Sequence, residues 1–228
     1  MTKMNKKERV AKSYNRTIEL SKEGFNQYTN LPTTITSMVY YEDYLCQDDR
    51  DSGNTRIKEY LDPNNDMLFI DLGCCLNLIE ADYDKWKSLY YGVDISSQVI
   101  DVLKNYIREN SLCIGGVFLE DMINTHFADN MFDIGSCIGS LEYYEANIVE
   151  QAILEISRIL KKHGKFVLDI PDITSKEYSV SRVIEEYLGR KDDFNLSEGA
   201  FEKILTEHFI INAKQYKNGT VIYYIEKK

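Results

Sequence analysis

Histidine, basic residues and long apolar runs are all scarce in this chain of 228 residues. It has three His, and 27 Lys and Arg stand against 37 Asp and Glu. No apolar run approaches the roughly 20 residues that a membrane-spanning helix needs. The amino terminus, MTKMNKKERV, carries charge without a following apolar segment, which argues against a secretory signal. These absences predict a cytoplasmic protein that neither crosses nor binds a membrane.

The cysteines do not form a recognisable framework. There are five of them, an odd number, and Cys74 and Cys75 are adjacent. No pair has the C-x-x-C spacing of a zinc site or a redox motif. We therefore predict buried, reduced thiols and no metal site.

The net charge of the chain indicates which kinds of partner it can bind. The net charge is -10, and an acidic surface repels phosphate backbones. The basic cluster of Lys3, Lys6, Lys7 and Arg9 is interpreted as a solvated helix face. The sequence thus predicts no nucleic-acid partner, and it leaves open a monomer or a homodimer.

Strands and helices alternate after the turn at Asp62-Pro63. Five apolar segments are interpreted as strands buried on both faces of a parallel sheet, and a helix is predicted to begin after Ser96. A longer helix with Ile148 and Leu160 on its apolar face is predicted to close at His163-Gly164. The strand segments are MLFIDLG (67–73), SLYYGVDI (88–95), IGGVFLE (114–120), MFDIGSCIG (131–139) and KFVLDIP (165–171).

The carboxyl-terminal part predicts two helices, at roughly 176–189 and 198–208, followed by a hairpin. The hairpin strands are FIINAKQY and TVIYYIE, and the Asn-Gly pair between them favours a type I′ turn. The predicted fold is α/β, with a seven-stranded, mostly parallel, doubly wound sheet and an antiparallel terminal hairpin. We assign residues 1–61 to a helical lid that helps to form an acceptor pocket. Residues 62–228 form the sheet domain, with a helical insertion at about 174–190.

Within the predicted lid, a helix is indicated by Val10, Tyr14 and Ile18, which recur every four residues. A second apolar stretch runs from Ile35 to Leu45, and a short helix is predicted at 56–61. The polar run 48–54 between them is interpreted as a loop.

Polar residues stand where the predicted strands end, which is where open α/β sheets bind ligands. The first strand leads through Asp71 into a turn at Gly73, which allows close approach of a ligand to backbone. The second ends at Asp94, whose carboxylate could accept hydrogen bonds from both hydroxyls of a ribose. The third ends at Glu120-Asp121-Met122, where a carboxylate and an apolar side chain could meet an adenine.

Five segments in this order resemble class I S-adenosylmethionine (SAM)-dependent methyltransferases, in particular the type-11 branch that acts on small molecules. They are FIDLGCCLN, YYGVDIS, FLEDM, MFDIGSCIGSLEYYE and ILEISRILKKHGKFVLDIPD, and they span roughly residues 69 to 172. The resemblance implies SAM as cofactor, S-adenosylhomocysteine as product and a small-molecule acceptor. The implied cofactor-binding residues are Asp71, Gly73, Cys74, Cys75, Asp94, Ile95, Asp121, Met122, Cys137 and Leu141.

The glycine-rich turn departs from this family's pattern, Asp-x-Gly-x-Gly-x-Gly. Cys75 and Asn77 replace the second and third glycines. Asn tolerates a left-handed conformation, so Asn77 is expected to be harmless. The Cys75 side chain could turn toward the sheet and leave the site intact, or it could block the cofactor.

Catalytic candidates are Glu142, Tyr143 and Tyr14. Methyl transfer depends largely on alignment in a dry site, and the scarcity of histidine favours an amine or an already ionised acceptor. Glu142 could steer a cationic amine, and Tyr14 could close over the cofactor. Ordinary roles remain open: Asp94 as a helix cap, and Tyr14 and Tyr143 as packing residues.

Other functions also remain open. A non-catalytic nucleoside-binding or regulatory protein would explain the altered glycine turn. An RNA or protein methyltransferase would present a basic surface where this chain has Glu142 and Glu145. A dehydrogenase is disfavoured, since the first turn lacks G-x-G-x-x-G.

Overall fold

The five apolar segments and the terminal hairpin form a single sheet in a computed structural model, which describes residues 6–46, 50–191 and 194–228. The strand order is β3-β2-β1-β4-β5-β7-β6. The first five strands of this order run parallel, and β7 is antiparallel to both β5 and β6. The predicted fold class is confirmed. The strands are β1 (Leu68–Leu72), β2 (Leu89–Asp94), β3 (Gly116–Leu119), β4 (Phe132–Cys137), β5 (Leu160–Pro171), β6 (Phe209–Lys217) and β7 (Thr220–Lys227).

Helices cover both faces and the carboxyl edge of the sheet. They are α1 (Lys6–Lys22), α2 (Thr33–Thr36), α3 (Tyr41–Cys46), α4 (Arg50–Leu61), α5 (Asn77–Glu80), α6 (Ser97–Glu109), α7 (Ala146–Ile159), α8 (Lys176–Tyr187) and α9 (Glu198–His208). Short 3₁₀ turns occupy Tyr83–Lys85 and Leu141–Tyr143. None of the described helices combines the length and the apolar character that crossing a membrane requires.

Alternation along β1 divides the core into two layers, because successive side chains of a strand point to opposite faces. Ile70 and Leu72 pack into the layer that includes Phe166 and Ile153, whereas Phe69 packs into the opposite layer. All three β1 side chains are completely buried. The nearly continuous apolar run of this strand therefore reflects burial on both faces.

Local signals account for several element ends. The Ser96 side chain accepts a hydrogen bond from the Val99 amide at 3.2 Å and caps α6, as predicted. Asn218 and Gly219 both have positive φ, 51° and 78°, which is the backbone that a type I′ hairpin requires.

The predicted end of α7 is wrong. The helix stops at Ile159, because buried Leu160 already pairs with Phe132 and begins β5. The left-handed residue after it is His163, with φ 62°, rather than Gly164. Pairing within the sheet thus overrides the helical periodicity that included Leu160.

The amino-terminal segment differs in detail from the prediction. Helix α4 begins at Arg50 instead of at residue 56, so the predicted loop fails for residues 50–54, while residues 48 and 49 lie outside the described ones. Buried Ile57 and Leu61 anchor this helix to the core, which the polar sequence before them does not reveal. The stretch 35–45 forms two short helices, α2 and α3.

Helix α1 lies across the carboxyl edge of the sheet. Asn15 Oδ1 accepts hydrogen bonds from the Ser96 hydroxyl and the Gln98 amide, at 2.7 and 3.1 Å. At the start of the helix, Lys7 forms an ion pair with Asp121 at 2.7 Å. Lys3, another member of the basic cluster, lies outside the described residues. The division at residue 61 stays a prediction.

Gly135 offers a test of the packing at the centre of the sheet. A Cβ at this position would lie 2.3 Å from Phe166 and 2.8 Å from Ile70. We expect Gly135→Ala to lower the free energy of unfolding by about 1–3 kcal/mol, because the buried neighbours must move. Gly199→Ala, in α9 with nothing within 4 Å, is the control and should be neutral or stabilising. Urea denaturation measures both, and equal effects would contradict this packing.

Candidate functional site

A cleft opens at the carboxyl edge of the sheet where β1, β2 and β4 end. It encloses about 470 Å³ of empty space, counting its open mouth. The first loop after β1 forms one wall, and Tyr14 of α1 covers the cleft from above. Ligand-binding clefts of α/β sheets form at this edge, beyond the carboxyl ends of the strands.

Gly73 brings the backbone of the first loop close to the loop after β4. Its φ is +67°, and a Cβ would lie only 2.0 Å from the Ser140 hydroxyl. Any other residue would therefore be strained by its backbone conformation and would also collide with Ser140. This residue lines the cleft, as the sequence predicts for a turn that approaches a ligand.

Cys75 occupies an unusual position in the same loop. Its φ is +39°, in the region that favours glycine, and its half-buried side chain lines the cleft. The Cys75 amide donates a hydrogen bond to Asp94 Oδ2 at 2.9 Å. Burial, with a smaller contribution from Asp94, raises the pKa of the thiol to about 12, so the side chain is neutral at physiological pH.

Two other residues of this loop, Cys74 and Asn77, are placed differently from Cys75. Cys74 is completely buried and packs into the opposite core layer with Phe69. Asn77 does not have the left-handed conformation anticipated for it, because it begins α5. Its side-chain amide donates to Asp71 Oδ2 at 3.3 Å.

Asp71 lies behind the first loop instead of lining the cleft. Its buried carboxylate accepts hydrogen bonds from Ser136 Oγ at 2.7 Å, from the Tyr90 hydroxyl at 3.1 Å and from Asn77. Burial raises the pKa of Asp71 to about 7, although these donors oppose the rise. Asp71 therefore fixes the loop from behind.

Asp94 lines the cleft at the end of β2. Its Oδ1 accepts from the Ser96 amide at 2.8 Å, and its Oδ2 accepts from Cys75. Burial raises the pKa of Asp94, and the backbone donors counter that rise. A carboxylate has about four lone-pair positions, so it retains capacity for two further donors. The next residue, Ile95, also lines the cleft.

The end of β3 contributes Met122 and Glu120 to the cleft, but not the predicted Asp121 carboxylate. Asp121 pairs with Lys7, whereas the buried Met122 forms part of the cleft wall. Glu120 accepts from His126 Nδ1 at 2.6 Å. After β3, the acidic residue that lines the cleft is thus Glu120.

Cys137 and Leu141 lie beneath the cleft, where both are completely buried. The Cys137 thiol contacts the sulfur of Met122 at 3.9 Å. Their placement indicates a supporting role under the loop after β4.

The predicted catalytic residues divide between two cavities. The Tyr14 and Tyr143 hydroxyls are 3.1 Å apart in the main cleft, and burial raises the pKa of both well above the ordinary value. Glu142 lines a second cavity with Asp169 and Glu185, and Gly139 belongs to both cavities. Burial raises the pKa of Asp169 to about 6, while the Gly139 amide donates to it at 2.8 Å.

Sequence reasoning missed Glu185 and Arg190. Tyr143 donates to Glu185 Oε2 at 2.8 Å, and the Arg190 side chain pairs with the same oxygen at 2.8 Å. Both residues belong to the segment after β5, where no motif marks them. Among the residues described, no group of three or more His, Cys, Asp or Glu side chains is arranged to hold a metal ion.

Comparisons with known proteins agree with the geometry. A family model described as "Methyltransferase domain" matches residues 70–168. "Ubiquinone biosynthesis O-methyltransferase" from Rickettsia akari is 24% identical over 119 residues, which are 52% of this chain and 46% of that protein. The match therefore spans about half the length of this curated relative.

Two solved structures share the fold. Geranyl diphosphate C-methyltransferase from Streptomyces coelicolor, in complex with Mg²⁺, geranyl-S-thiolodiphosphate and S-adenosylhomocysteine, has a TM-score of 0.69 at 13% identity. Magnesium protoporphyrin IX methyltransferase from Synechocystis, with bound SAM, has a TM-score of 0.66 at 16% identity. Both alignments cover 100% of each chain.

The strained backbone at Cys75 leads to a testable expectation. Cys75→Gly should raise the free energy of unfolding by about 0.5–1 kcal/mol, because glycine adopts a positive φ without the usual penalty. The matched control, Cys74→Gly, should lower it by about 1–3 kcal/mol, since it removes a buried side chain. Chemical denaturation distinguishes the two, and a Cys75→Gly protein as unstable as Cys74→Gly would refute the interpretation.

Proposed function

We propose that this chain, whose residues 70–168 match a methyltransferase domain, is a class I SAM-dependent methyltransferase that transfers a methyl group from SAM to a nitrogen or oxygen atom of a small molecule. The observation that carries the proposal is that Met122, Asp94 and Cys75 all line one cleft, where the Cys75 amide donates a hydrogen bond to Asp94. These residues provide an apolar surface, a carboxylate and a backbone turn, which are the features that a purine, a ribose and an amino-acid chain would need.

The residues present fit the cofactor. Asp94 retains acceptor capacity for two ribose hydroxyls, and Gly73 allows the backbone to approach a ligand closely. Met122 offers apolar surface to a purine ring. When bound, SAM supplies a methyl group on a positively charged sulfur. Tyr14 and Tyr143 would exclude water from the methyl group and orient the acceptor through their neutral hydroxyls.

The second cavity is the proposed acceptor pocket. It shares Gly139 with the main cleft and is lined by Glu142, Asp169 and Glu185. Three carboxyl groups favour an acceptor that is neutral or cationic at this end, such as an amine. The role of Glu142 in steering such an amine is part of this proposal. The net charge of -10 supports a small molecule over a nucleic acid as the acceptor.

A non-catalytic nucleoside-binding protein is the second candidate function. Cys75 favours it, because a side chain lines the cleft where the related pattern has glycine. Such a protein would bind the adenosine part of a ligand without methyl transfer.

Calorimetric titration with SAM and with S-adenosylhomocysteine tests the proposal. We expect micromolar binding by the natural chain, weakened by about 100-fold or more in Asp94→Ala, because two hydrogen bonds to a charged group are lost. Asp82→Ala, which removes an exposed carboxylate that pairs with Lys85, should bind normally. Thermal unfolding of each variant verifies that it is folded at the titration temperature.

Two outcomes would contradict the proposal. No binding at millimolar ligand would mean that the cleft is not a SAM site. Binding without methyl transfer to any member of a panel of amines and phenols would favour the non-catalytic candidate.

A further inference from the structure

Arg190 is a completely buried cation that contacts Tyr14, a residue of the cleft lining, without lining the cleft itself. Its Nε donates to Glu185 Oε2 at 2.8 Å, and its Nη2 donates to the Tyr28 hydroxyl and to Glu185 Oε1. The guanidinium carbon lies 4.3 Å from the centre of the Tyr14 ring. This cation therefore connects α1 and the segment after α8.

Within the described part of the chain, one nitrogen of this guanidinium group lacks a hydrogen-bond partner. Nη1 is buried, and among the described residues no acceptor forms a hydrogen bond with it. A buried donor without an acceptor costs about 1–3 kcal/mol, and more when it is charged. Native structures rarely leave such a group unpaired unless a water or a ligand satisfies it.

The position of Arg190 indicates which ligand would do so. Tyr14, which stacks on the guanidinium, also lines the cleft together with Cys75. The positive charge of Arg190 makes a small contribution that opposes the rise in the pKa of the Cys75 thiol, which burial dominates. Along the cleft wall, Met122 and Asp94 would hold the purine and the ribose. The amino-acid end of the ligand would then point toward Cys75 and Arg190.

We propose that Arg190 binds the α-carboxylate of the methionine part of SAM through Nη1. This inference rests on the proposed function. Glu185 already pairs with Arg190 and holds the guanidinium group in place through Nε. Nη1 is then available to a second carboxylate. Arginine is suited to this role, because its planar fork can serve two carboxylates at once.

The test compares two ligands that differ at the carboxylate. S-adenosylhomocysteine has the amino and carboxylate groups, and 5′-methylthioadenosine lacks both. The variants are Arg190→Gln and the double variant Glu185→Gln with Arg190→Gln, which avoids leaving Glu185 buried and unpaired. Thermal unfolding shows which variants are folded, and calorimetry measures both ligands.

We expect the folded variant to bind S-adenosylhomocysteine about 10- to 100-fold more weakly than the natural chain. Binding of 5′-methylthioadenosine should change less than about twofold, because its contacts with Asp94 and Met122 are intact. Glu185→Gln alone should retain most of the preference for S-adenosylhomocysteine, since Arg190 is still present.

Other outcomes would overturn the inference. Equal weakening of both ligands would show that Arg190 only supports the shape of the cleft. Unchanged binding of both ligands would place its role elsewhere, such as on a carboxylate of the acceptor. If the natural chain binds neither ligand, the proposed function itself fails, and this inference fails with it.

Discussion

The cleft depends on the hydrogen bonds that the buried carboxylate of Asp71 accepts. It stands at the end of β1 and receives hydrogen bonds from β4 through Ser136, from β2 through Tyr90 and from α5 through Asn77. Burying this group is costly, and the raised pKa near 7 reflects that cost. The three donors offset it and define the path of the chain after β1. Gly73 and Cys75 are consequently held against Asp94 and the loop after β4.

A second polar cluster closes the cleft from the other side. Tyr14, Tyr143, Glu185, Arg190 and Tyr28 connect α1, the loop after β4 and α8 through hydrogen bonds and a cation–π contact. Most of these residues lie far apart in sequence. Burial raises the pKa of Tyr14 and Tyr143, so their hydroxyls stay neutral. Helix α1 is therefore docked by these polar contacts together with the buried apolar side chains of Val10 and Ile18.

The sheet could be predicted from the sequence because its signals are local. Strand β1 is a continuous apolar run, Ser96 caps α6, and Asn218-Gly219 specifies the hairpin. The position of Asp94 at a strand end likewise follows from pattern alone. Local signals do not show which of two elements a residue joins when both are possible. Leu160 fits the helical periodicity of α7, but it pairs with Phe132 and belongs to β5.

The second polar cluster could not be predicted in the same way. Arg190 and Glu185 lie in a segment without a motif, and only the tertiary fold brings them to Tyr14 and Tyr143. Similarly, Asp121 and Glu120 are adjacent in the sequence, and their orientation decides which carboxylate enters the cleft. Asp121 pairs with Lys7 of α1, and Glu120 lines the cleft.

Hydrogen exchange measured with and without S-adenosylhomocysteine tests whether the cleft between the first loop and α1 is the cofactor site. We expect slower exchange at residues 73–77, at 94–96 and along α1 when the ligand is added. Protection elsewhere, for example in the groove formed by Lys58, Asp62 and Lys87, would contradict it. So would a ligand that binds without slowing exchange in the first loop.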